Sequence, residues 1–192
     1  INCGINGGVT GTGGVVFLTA SNGGITLYRT LTYSGGTTVL GGRIKLANSG
    51  NYHGGFGSGD VEICGGEYPG GPVIFTELDT QVSQNFFISG FGSTTGTSKI
   101  GALEFSNQYI SMNGQITLRN DAMIVADAGC SGLITKTIEG TGDLHLNGDG
   151  EITLFKGVDI DGDVYIDGTV TTRGAIATGE RFLFVNGTLI FN

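Results

Sequence analysis

Between Leu144 and Gly174 the chain reads LHLNGDGEITLFKGVDIDGDVYIDGTVTTRG, with an apolar residue at nearly every second place and glycines at 157, 162, 168 and 174 interrupting the pattern. Period-two alternation puts Leu144, Leu146, Ile152, Leu154, Val158, Ile160, Val164, Ile166 and Val170 on one side of an extended backbone, so each strand buries one face. The glycines limit these strands to a few residues and call for tight turns. Asn-Gly pairs beginning at Asn6, Asn22, Asn113, Asn147 and Asn186 supply residues suited to positive-φ corners. No stretch shows a convincing helical period. The nearest is Thr76 to Phe87, and there Val82, Phe86 and the following Ile88 suit strands equally.

Sandwiches, barrels or propellers, and solenoids all use short strands. Glycine supplies 38 of 192 residues and proline only 2, without the strict triplet of collagen, while 39% hydrophobic content excludes disorder. A sandwich would show longer strands and connections of variable length. The near-uniform sequence of strand, glycine, strand predicts an all-β fold, a parallel β-helix or β-solenoid, as a single domain over residues 1–192. At about 20 residues per coil it makes nine or ten coils, a rod of about 45 Å at roughly 4.8 Å per rung.

The segment LTYSGGTTVLGGRIKL, Leu31 to Leu46, resembles the autotransporter-associated β-strand repeat of bacterial surface proteins. The resemblance lies in Tyr33, Ser34, Gly35, Gly36, Thr37, Thr38 and Val39, then Gly42, Ile44 and Leu46. Gly57 to Gly66 and Ile134 to Gly150 are similar to its follow-on coils. This resemblance implies a right-handed parallel β-helix in an exported passenger stalk or adhesin, located extracellularly or at the cell surface. It brings no catalytic residues, and the chain is expected not to be an enzyme. Cys3, Cys64 and Cys130 depart from the family, whose passengers generally avoid cysteine.

A net charge of −8 with scattered basic residues argues against nucleic acid and anionic membranes as partners, and no apolar run is long enough to span a bilayer. Residues 139–167 hold eight acids and one base, Lys156. Within that stretch Asp159, Asp161, Asp163 and Asp167 are expected on polar faces, either as a solvated acidic surface or as oxygen ligands for calcium, the one cofactor considered. The same acids are the nearest to a polysaccharide lyase or glycosidase site, with Lys156 and Arg173 nearby. His53 and His145 are solitary and read as outward or loop residues. Tyr33, Tyr52, Tyr68, Tyr109 and Tyr165 are the aromatics expected on the surface.

A solenoid has two open edges, and neither terminal sequence reads as a cap: INCGING opens the chain and GERFLFVNGTLIFN closes it, still in apolar alternation at Phe182, Phe184, Leu189 and Phe191. Ile1, Cys3 and Ile5 at one end and Leu189 and Phe191 at the other are therefore the expected assembly residues. The cysteine spacings, 61 and 66 residues, suggest three long units of about 64. The expected function is a subunit or segment of a solenoid filament or surface stalk, with further copies or flanking solenoid as partners. An adhesin or tail-like fibre gripping glycans or a host receptor is the alternative.

Overall fold

The computed structural model describes residues 2–18, 23–49, 52–53, 55–64, 73–75, 80–92, 94–95, 98–99, 101–106, 109–179 and 181–192. Among these no residue is helical, and nearly every strand pair is parallel. The chain winds as a β-solenoid with three faces.

The first face stacks nine strands: Asn2–Ile5, Gly24–Leu27, Arg43–Leu46, Val73–Phe75, Leu103–Phe105, the latter half of Ile116–Ala126, Leu144–Asn147, Val164–Ile166 and Leu183–Val185. On the second face Thr10–Gly11 pairs with Thr32–Tyr33, and a separate ladder runs from Thr80–Val82 through Ile110–Met112, Ser131–Ile134, Glu151–Leu154 and Thr169–Thr172 to Thr188–Phe191. The third comprises Val15–Leu18, Thr37–Gly41, Val61–Ile63, Phe86–Gly90, the start of Ile116–Ala126, Ile138–Gly140, Val158–Ile160 and Ile176–Ala177.

Coil length is less uniform than the sequence pattern suggests. Glu151 registers with Thr169, 18 residues on, whereas Val73 registers with Leu103, 30 on. The longer coils carry excursions, among them two antiparallel hairpins: Asn48–Ser49 with Tyr52–His53, and Thr94–Thr95 with Ser98–Lys99. Nine strands on the first face span eight complete steps, so the expectation of nine or ten coils was too high. The region proposed as the nearest to a helix contributes the strands Thr80–Val82 and Phe86–Gly90, with Val82, Phe86 and Ile88 all buried.

The core is the column of inward side chains. All nine apolar residues picked out between Leu144 and Val170 are buried. Each contributes on the order of 2 kcal/mol of apolar burial. Stacking identical positions demands complementary volumes: Phe105, fully buried on the first face, fills the space left by Gly132 on the second, where any Cβ would collide with its ring. Corners impose a different demand. Gly157 turns at φ +86, and a side chain there would strike the carbonyl of Ala175 on the next rung.

The Tyr-Ser-Gly-Gly-Thr-Thr segment has a physical reading in this frame. Tyr33 is buried, contrary to its expected surface position, and its hydroxyl is hydrogen-bonded to the equally buried Thr37. A ring of that size enters the core only when its polar tip finds a partner.

Candidate functional site

The terminal rungs are incomplete surfaces. Leu183 stacks on Val164 and Val185 on Ile166; Leu189 stacks on Val170 and Phe191 on Thr172. One rung back, Val164, Ile166 and Val170 are fully buried, while Leu183, Val185 and Phe191 are 40%, 47% and 69% exposed. The files are the same, so the exposure comes from the open side of the last rung. At the other end Cys3 registers with Ile25 and Ile5 with Leu27; Cys3 is exposed and Ile5 half-buried. Cys3, Ile5, Leu189 and Phe191, the residues expected at assembly ends, stand in inward files of the first and last described rungs, and Ile1 lies outside the described residues. Leu183 and Val185 belong with them. The alternation expected at Phe182 and Phe184 is one residue out of phase: Phe184 stands in an outward file on Tyr165, because the phase is set by the register between coils, which one sequence does not print.

The four aspartates fall at separate places along one rung. Asp159 lies in Val158–Ile160 on the third face, Asp161 and Asp163 at the next corner, and Asp167 just after Val164–Ile166 on the first face. Among the described residues no group of three or more His, Cys, Asp or Glu side chains is placed to hold a metal ion. What the corner does contain is an aspartate ladder. Asp143 N donates to Asp121 Oδ1 at 3.0 Å, Asp163 N to Asp143 Oδ1 at 2.8 Å, and Phe182 N to Asp163 Oδ1 at 2.9 Å. Each carboxylate accepts the N–H that opens the next strand of the first face. Asp167 Oδ1 accepts from Asn186 Nδ2 at 3.3 Å in the same upward sense.

Beside that ladder runs an outward aromatic file. His145 and Tyr165 stack at 4.3 Å between centroids and Tyr165 and Phe184 at 4.8 Å, with Phe91 set edge-on to His145. The faces of the inner rings cover one another, so the file offers edges to solvent rather than platforms. At one end of the file Phe184, 46% exposed, has Phe182 tilted against it at 5.9 Å between centroids. Tyr165 donates its hydroxyl to Asp163 Oδ2 at 3.2 Å. Desolvation, that hydrogen bond and the nearby charges of Asp163, Asp143 and Asp121 push its phenol above the usual range.

The first face also carries the one ion pair between described residues. Arg43 Nη2 donates to both carboxylate oxygens of Glu104 at 3.1 Å, reaching across the intervening strand Val73–Phe75. Glu104 is buried, and burial raises its carboxyl above the ordinary value against the pull of Arg43; Asp127 adds to the rise. Cys130 is likewise raised, first by burial and then by Asp127 and Glu104, so its thiol stays protonated and a poor nucleophile.

Cys3, Cys64 and Cys130 form no disulfide and lie on three different parts of the rung: in a first-face strand, just past a third-face strand, and at the corner before Ser131–Ile134. Equal spacing in sequence therefore marks no structural unit, and the three-unit expectation is withdrawn. No family model matches the chain, and no curated protein or solved structure matches it significantly.

Proposed function

We propose that this chain is a structural segment of an extracellular bacterial β-solenoid, a filament subunit or a stretch of surface stalk, extended end to end through its terminal rungs. The observation that carries this reading is the exposure of Leu183, Val185 and Phe191 in files that are buried one rung back. A solenoid rung buries its apolar side only against a neighbouring rung, and a single open edge also leaves strand N–H and C=O groups unpaired. A contact between one end and the opposite end is heterologous and does not close, so it propagates as a fibre. In that contact Val185 meets Cys3 or its equivalent in the next rung. The exported location rests on the repeat resemblance, which also brings no catalytic residues.

Sedimentation velocity of the purified chain over rising concentration tests this. The sedimentation coefficient should climb for the native sequence and stay at the single-chain value for Val185→Lys. Concentration-independent sedimentation of the native chain, or undiminished growth of the variant, overturns the reading.

A further inference from the structure

The Ser34-Gly35-Gly36-Thr37-Thr38 segment does more than turn the chain. Its glycines, with Gly59 one rung on, let neighbouring rungs approach closely at the corner before the third face, and a trough of about 480 Å³ lies beside them. That volume lies within the roughly 300–1,000 Å³ range of small-molecule sites. Gly36 and Thr38 belong to one rung, Asp60 and Glu62 to the next, Phe87 to a third and Arg119 to a fourth. The trough therefore runs along the solenoid axis for three rung spacings, about 14 Å. Thr38, Glu62 and Phe87 follow one another in a single outward file.

Its polar groups are fixed before any ligand arrives. Asn85 Nδ2 donates to Asp60 Oδ1 at 3.0 Å, holding one carboxylate oxygen of this lining residue. The Arg119 guanidinium sits 4.2 Å from the centroid of the Phe87 ring, which anchors its donors at the far end. Glu62 and Arg119 are both exposed. Two carboxylates against one guanidinium, in a chain of net charge −8, disfavour an anionic occupant. An elongated trough with carboxylate acceptors, hydroxyls, bare backbone and a guanidinium seated on an aromatic ring matches a polyhydroxylated chain without charge. We propose that this trough binds a neutral oligosaccharide, lying along the axis, with Asp60 and Glu62 accepting from its hydroxyls and Arg119 donating to its oxygens. This site is independent of end-to-end assembly.

Titration calorimetry of the intact chain with cellohexaose, chitohexaose and maltohexaose, with oligogalacturonate alongside, tests the proposal. At least one neutral oligosaccharide should bind saturably, and Glu62→Gln and Arg119→Gln should each weaken it by roughly tenfold, the scale of one charge-assisted hydrogen bond. Glu139→Gln, further along the same outward file and outside the trough, should leave binding unchanged. No neutral binding at millimolar concentration, binding indifferent to both trough variants, or preference for oligogalacturonate overturns it. Sedimentation of the same samples reports assembly separately.

Discussion

The backbone N–H of Asp163 donates to Oδ1 of Asp143 at 2.8 Å, 20 residues earlier in the chain and one rung away in space. The same relationship joins Asp143 to Asp121 and Phe182 to Asp163, so one residue type at one corner ties four rungs together. Replacing Asp143 by Ala removes an acceptor and strands the Asp163 N–H, at a cost of about 1–2 kcal/mol. Asp143→Asn keeps an acceptor oxygen and should cost less than half as much. Urea midpoints of the two variants check this, and equal losses would show that charge rather than the hydrogen bond matters.

Gly132 and Phe105 share one volume. Gly132→Ala should destabilise by about 1–3 kcal/mol through overpacking, and Phe105→Leu in the same chain should recover part of the loss. Thermal unfolding of the single and double variants measures it. Additive losses would mean that the two positions do not compete for space.

Glu104 holds its proton more tightly in the fold than in the unfolded chain, because burial penalises the carboxylate more than Arg43 favours it. Folding therefore takes up a proton between the ordinary value of 4.5 and the raised one. This contribution is complete below 4.5 and is lost as pH climbs through the raised value. Denaturation midpoints should fall with rising pH over that window more steeply in the native chain than in Glu104→Gln. Parallel profiles would contradict the burial of this group.

The alternation of Leu144 to Val170 specified both strands and core, because a period-two pattern interrupted by glycine has few other uses. The nine inward residues needed no knowledge of register. The aspartates were visible as a cluster, yet their arrangement was not: Asp159 lies on the third face and Asp163, four residues on, at the corner that leads to the first. Likewise His145, Tyr165 and Phe184 form a file only because their coils are 20 and 19 residues long, and those lengths vary elsewhere. Tyr33 read as a surface residue since nothing in the sequence announced Thr37 as its partner.

Since the four candidate aspartates are strung around a rung rather than gathered, calcium should not raise the melting temperature beyond an ionic-strength control. A resident site occupied a hundredfold above its Kd would add about 2.7 kcal/mol. A rise reproduced by calcium alone and abolished in Asp163→Asn would restore the metal reading.

Electron microscopy of the purified chain across a concentration series addresses end-to-end growth most directly. Rods of single-solenoid width whose length increases with concentration, with an axial rung repeat of about 4.8 Å running unbroken through each junction, are the expected outcome. Particles of fixed length at every concentration, or growth by sideways bundling, would contradict it.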